Sequence, residues 1–226
     1  GEIRRTLAPL FAANAADAAW SAPARAILFR LGETLGVIDR PAIADALPLL
    51  PVADRKSLAR LGLRFGVAHA YIPALLKPKA QAMRALLWSI AHGASLPVLP
   101  HGTAAVRDPA VSEQFYAALG FVTLGERVLR VDRAETLSAE LRRLGRQGPF
   151  AATPELARLA GARVDELAAM LPALGYRAVA DAAGAVTFHA RPGHAAKRHR
   201  PAARRPHHAD SASDNPFAKL KELNLR

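Results

Sequence analysis

Cysteine is absent from the 226 residues. That excludes a disulfide framework, a Cys-ligated zinc or iron–sulfur centre, and thiol redox chemistry. No apolar run reaches the roughly 18 residues of a membrane span. The opening "GEIRRTLAPLF" lacks the charged-then-apolar order of a signal peptide. A soluble, cytoplasmic protein without a membrane partner is therefore expected. Also missing are a G-x-x-x-x-G-K-[ST] phosphate loop and an acidic D-E-x-[HD] box, so no residue is placed to bind ATP or magnesium.

Other catalytic constellations are missing too. Ser89 and Ser112 have no nucleophile-elbow context. The carboxylate pairs Asp132/Glu135 and Asp165/Glu166 fall at expected helix starts, where the macrodipole favours acids. His194, His199, His207 and His208 lie in a basic tail, while His69, His92, His101 and His189 stand singly among apolar residues. Metal ligands need a positioned outer shell, so these read as structural or solvated histidines. No catalytic residue, metal site or cofactor is expected on this chain.

What the sequence does have is positive charge, net +12, and 51% hydrophobic residues. The charge favours a polyanionic partner, RNA or DNA. Half of it sits in "RPGHAAKRHRPAARRPHHA", where Arg191, Lys197, Arg198, Arg200, Arg204 and Arg205 occur without one acid. Little there is apolar and larger than alanine, so burial cannot offset the ordering entropy, and residues 191–214 read as a disordered basic linker. The terminal "NPFAKLKELNLR" differs. Asn215 can cap, Pro216 suits the first helical position, and Phe217, Leu220 and Leu223 fall near one side, predicting a short amphipathic docking helix over 215–226.

Upstream, punctuation predicts an α+β fold that is mainly α. Leu28, Leu31 and Leu35 share a helical face, Pro41 and Pro51 mark helix starts, and Gly62 marks a stop. "LRFGVAHAYI" reads as a strand. In "PALLKPKAQAMRALLWSIAHG", Pro78 begins a helix, Met83, Leu86, Leu87 and Ile90 are spaced for its buried stripe, and Gly93 stops it. Residues 1–107 thus form a helical region with a short strand.

Residues 108–190 contain an internal echo. Asp108 and Pro109 open a helix that runs into Leu119-Gly120-Phe121 and two short strands; a later helix, Arg163 to Leu174, runs into Leu174-Gly175-Tyr176 and a hairpin. Before the second copy come "ETLSAELRRLG" and "TPELARLAG", opened by Thr153 and Pro154. Helix, short helix, helix, hairpin is the order of a winged helix. Its groove-facing helix is expected to bury Val164, Leu167, Ala168 and Leu171 and to expose Arg163, Asp165, Glu166, Ala169, Met170 and Ala173. That face is close to neutral, which argues against base reading and for packing or backbone contact.

Three segments, "LARLGLRFGVAHAYIPALLKPKAQAMRALLWSI", "TPELARLAGARVDELAAMLPALGYRAV" and "NPFAKLKELNLR", together resemble the C-terminal region of bacterial superfamily 2 helicases related to the mitochondrial degradosome RNA helicase. The resemblance covers most of residues 55–226. It implies an accessory region behind an ATP-dependent RNA or DNA motor, with ATP and magnesium belonging to motor domains not in this chain. A chain opening with "GEIRRTLAPLF" is expected to be a segment of something longer. Besides the tail, Lys77, Lys79 and Arg84 are candidate phosphate contacts, the two lysines flanking Pro78 at a helix N-terminus. Arg55, Lys56, Arg60 and Arg64 form a further basic stretch ahead of them, while Arg142, Arg143 and Arg146, at the end of another helix, read as solvated surface. The alternative function is a non-enzymatic adaptor that docks protein through its folded part and its terminal peptide.

Overall fold

A computed structural model describes residues 20–180, 182 and 184–191. The expected basic linker beyond Arg191 and the terminal helix lie outside the described residues. Within them the fold is α+β and mainly α: seven α-helices, two short 3-10 helices and small antiparallel sheets.

The chain builds one plan three times. In the first unit, α1 (Ala22–Glu33) leads into β1 (Val37–Asp39), a 3-10 turn (Arg40–Ile43), α2 (Val52–Arg60), β2 (Arg64–Phe65) and β3 (His69–Tyr71). The sheet order is β1-β3-β2. In the second, α3 (Pro78–His92) is followed by β4 (Ala104–Val106), a turn in which Val111 N–H donates to the Asp108 carbonyl, α4 (Glu113–Ala118), β5 (Phe121–Leu124) and β6 (Arg127–Arg130). Its order is β4-β6-β5. In the third, α5 (Val131–Gln147), α6 (Pro154–Ala160) and α7 (Val164–Met170) precede the hairpin β7 (Tyr176–Ala180) and β8 (Val186–Ala190). Phe150 bridges Phe188 of β8, supplying the place of the first strand. Helix, strand, short helix or turn, helix, two-stranded wing, with the first strand paired to the last, is winged-helix topology, so the fold is a tandem of three.

The sequence echo therefore has a third member, Leu61-Gly62-Leu63. Gly62, Gly120 and Gly175 have φ of 91°, 84° and 88°. Each closes the helix before the wing in the left-handed conformation that glycine adopts without a Cβ penalty. Leu63 N–H reaches back to Leu58 O, and Tyr176 N–H to Leu171 O, at 3.0 and 3.1 Å. These bonds satisfy last-turn carbonyls and drop Leu63, Phe121 and Tyr176 into the core.

Several expectations are corrected. The expected division between 107 and 108 falls inside one sheet, because β4 pairs with β6 across it. β1 and the hairpin at 64–71 make the front of the chain a full winged helix, where one strand was expected. Asp108 caps only a turn; α4 begins at Glu113, with the Ser112 hydroxyl accepting from Phe115 N–H. On α3 the buried face is rotated: Ala80 and Leu87 join the core of the first unit and Ala85 that of the second, leaving Leu86 and Ile90 45% and 70% exposed. A helix packed on two sides buries small residues, and its large apolar ones need not mark its core. On α7, Met170 is buried and Val164 lies partly outside. Pro41 starts a 3-10 turn, while Pro78, Thr153 and Gly93 terminate or open helices as expected.

The units pack into one another. Tyr71, Leu76 and Val131 form a small core where all three meet, and Leu124 and Leu129 of the second unit sit in the core of the third. Gln81 donates to the Leu119 carbonyl at 3.1 Å, tying α3 to the turn at Gly120.

Candidate nucleic-acid interface

In a winged helix the helix before the wing is the one shaped to enter a groove. Three such helices exist here, and they carry different charge. On α7, Arg163 is paired with Asp165 at 2.6 Å, and Glu166 caps Arg163 N–H while bonding Arg127 at 2.9 Å. The Arg163 guanidinium beside Asp165 holds that carboxyl down at about 2. Arg127 also reaches the Gly161 carbonyl at 2.9 Å, so the start of α7 is bound to the second unit's sheet. On α4, Glu113 and Gln114 are exposed, and Glu113 pairs with Arg107 at 3.3 Å. Neither face is cationic.

The third such helix is α2. Leu58 is fully buried, with Asp54, Ser57 and Leu61 half-buried beside it. Asp54 is turned inward to accept the Ser21 N–H at 3.1 Å. The outer face presents Val52, Arg55, Lys56, Ala59 and Arg60, all exposed. Arg55 sits over the Phe65 ring at 5.5 Å from its centroid and reaches the Leu47 carbonyl at 3.5 Å. No carboxylate pairs with Arg55, Lys56 or Arg60 among the described residues.

The residues expected to touch phosphate separate into two groups. Lys77 and Lys79 are exposed at the start of α3, and Arg191 is exposed where its N–H meets the Gly175 carbonyl. Arg84 is not at the surface. It is fully buried, one Nη donating to the Leu75 carbonyl at 3.1 Å, with Nε and the other Nη unpartnered. Burial pushes its guanidinium down to about 9. It follows Gln81 by three residues on the face that packs toward Gly120, so helical position, not charge, decided its place. Lys197, Arg198, Arg200, Arg204, Arg205, Phe217, Leu220 and Leu223 lie outside the described residues.

A second constellation was not legible in the sequence. The wing of the first unit, Gly66 to His69, folds over Glu135 of α5. The Glu135 carboxylate accepts N–H groups from Val67, Ala68 and His69, and its Oε1 lies 2.7 Å from His69 Nδ1. Across the ring, His69 Nε2 is 3.3 Å from Asp39 Oδ1. Burial raises the Glu135 pKa, but the His69 hydrogen bond and charge and the Ala68 and Val67 donors outweigh it, so the carboxyl lies below its ordinary value. Gly66 is needed there: a Cβ would collide with the Glu135 carboxylate. The wing that could have entered a minor groove is thus occupied by another part of the same chain.

Between the first and second units runs an open cleft of about 740 Å³, with His69, Asp39, Trp88, His92 and Glu113 on its walls. Its histidines are committed. His92 stacks on Trp88 at 4.2 Å and bonds the Trp88 carbonyl, and His69 is held by two carboxylates. Neither histidine has a serine or threonine hydroxyl among its hydrogen-bond partners. Among the described residues no His, Asp and Glu cluster has metal-holding geometry, and no helix is long and apolar enough to cross a membrane. Comparison with family models, curated proteins and solved structures finds no match to this chain.

Proposed function

We propose that this chain is a non-catalytic accessory region of an ATP-dependent RNA or DNA helicase, cytoplasmic, which packs on motor domains outside this chain and holds nucleic acid by non-specific backbone contacts. The observation that carries the reading is the tandem of three interlocked winged helices on a strongly basic chain. Winged helices are rigid platforms suited to nucleic-acid contact, and the charge supplies sequence-independent affinity. The resemblance of three segments to helicase C-terminal regions adds the motor.

The test is binding of the purified chain to an unspecific oligonucleotide across a salt series, and to a separately purified helicase motor of the resembling type. Salt-sensitive binding without sequence preference supports the nucleic-acid part, and complex formation the motor part. Absence of both would leave the adaptor reading. One observation favours that second reading: Leu86 and Ile90, one turn apart on α3, are exposed and offer an apolar contact.

A further inference from the structure

We infer that the outer face of α2, carrying Arg55, Lys56 and Arg60, is a binding site for double-stranded DNA, seated in the major groove. The inference rests on the nucleic-acid reading above and narrows it to one surface and one ligand class.

The three units provide an internal comparison. They share topology, the glycine turn and the position of the groove-shaped helix, yet among the described residues only α2 has an outward face with cations and no exposed carboxylate. α4 carries the exposed acid Glu113 and no cation, and on α7 the acids are present and Arg163 is paired with Asp165. The same comparison holds for access. α7 is bound at its start by Arg127, whereas Leu49 and Val52 at the start of α2 are 73% and 70% exposed. The wing beside α2 is folded onto Glu135, so it cannot reach a minor groove and does not obstruct the helix.

Geometry then selects the ligand. Arg55 and Arg60 are five residues apart, about 140° around the axis at roughly 100° per residue, so they stand on opposite flanks of the outer face. Lys56 lies between them, beside the small side chains of Val52 and Ala59. An α-helix about 10–12 Å across fits the B-form major groove, roughly 12 Å wide. Seated there, the two arginines flank the groove walls, Arg60 directly and Arg55 on leaving its place over Phe65, and the small central residues allow close approach. The deep, narrow major groove of A-form RNA does not admit a helix. Arg64 on β2, exposed just past the helix, extends the cationic surface.

The experiment compares the full chain with a variant carrying R55A, K56A and R60A, and with a control carrying R142A, R146A and R158A, which removes equal charge from exposed positions elsewhere. Binding is measured on duplex DNA, duplex RNA and single-stranded DNA of matched length across a salt series, with circular dichroism to verify folding. Because Arg55 also packs on Phe65, K56E is measured as a single change at a side chain without such a contact. Loss of three phosphate contacts should flatten the duplex-DNA slope of log K against log salt by about 2.7. The preference for duplex DNA over duplex RNA should vanish in the α2 variant and K56E should weaken duplex-DNA binding, while the control keeps the preference. Equal behaviour of the α2 variant and the control, or equal wild-type affinity for both duplexes, overturns this inference and leaves the broader reading standing. A wild-type chain that binds none of the three nucleic acids overturns both.

Discussion

His69 and Glu135 are separated by 66 residues in the chain and by 2.7 Å in space, Nδ1 to Oε1. That bond joins the wing of the first winged helix to the first helix of the third, and three backbone N–H groups converge on the same carboxylate. The fold uses a wing, ordinarily a nucleic-acid contact, as an internal clasp.

Glu135→Ala should open this clasp. It leaves the part-buried donors of Val67 and Ala68 and the buried donors of His69 without an acceptor, a loss of about 3–5 kcal/mol for breaking a buried charged contact. The Tm should fall by roughly 2–4 °C for each kcal/mol in a chain of this size. A Tm within a degree or so of wild type in a thermal melt would mean the wing is held by other contacts.

The clasp should also be acid-sensitive. The folded Glu135 carboxyl lies below its ordinary 4.5. Its stabilisation is therefore complete above that value and is lost as pH falls through the lower folded one. His69 and, beyond its ring, Asp39 face the carboxyl, as does Tyr71, whose pKa is raised by burial and then by Asp132 and Glu135 and so lies far from this range. Melting curves of wild type and Glu135→Ala, distinct at neutral pH, should converge in acid.

Equivalent glycines should respond unequally to alanine. At Gly62 a Cβ meets only Ile72 Cγ2 at 3.8 Å, so the cost is the left-handed backbone, about 1 kcal/mol. At Gly120 it would press on Leu76 Cδ2 at 2.5 Å and Arg84 Nη1 at 3.2 Å, both in side chains that are buried. Overpacking there adds about 1–3 kcal/mol. Denaturant titration of the two variants should rank them in that order.

Arg84→Met should raise stability. Arg84 is a buried cation that, among the described residues, makes one hydrogen bond and has no carboxylate partner. Replacing buried charge with an apolar chain of similar volume is often neutral or stabilising by about 1–4 kcal/mol. The same substitution should leave nucleic-acid affinity unchanged, since the side chain does not reach the surface. A lower Tm would contradict the first statement, and weaker binding the second.

The chain should turn over no ATP with or without nucleic acid, because it has neither phosphate loop nor magnesium carboxylates. Removing residues 192–214, which carry Lys197, Arg198, Arg200, Arg204 and Arg205, should flatten the single-strand salt slope by about 3.5, from five basic residues at roughly 0.7 each. Stimulated phosphate release in a coupled assay, or an unchanged slope, would count against the accessory reading.

The amino-acid sequence by itself determined the exclusions and the punctuation. No cysteine, phosphate loop or long apolar run can be added by folding. The stops and starts at Gly62, Pro78, Gly93, Gly120, Thr153 and Gly175 act within one helical turn, so they are readable locally. Two copies of the helix-glycine-hairpin plan were visible on the same grounds. The copy around Leu61-Gly62-Leu63 was hidden because β1 has three residues and β2 two, too short to show a period of two. Only the tertiary structure decided which face of α3 points inward, since it packs on two units at once, and that choice took Arg84 out of solvent. It also decided that His69, read as solitary, would meet Glu135, because side chains 66 residues apart find each other through packing and leave no trace in local spacing. The contrast between α2 and α7 needs both levels: the charges are written in the chain, but the pairing with Asp165 on one helix, and on the other the lack of a carboxylate partner among the described residues, depend on where each helix lies.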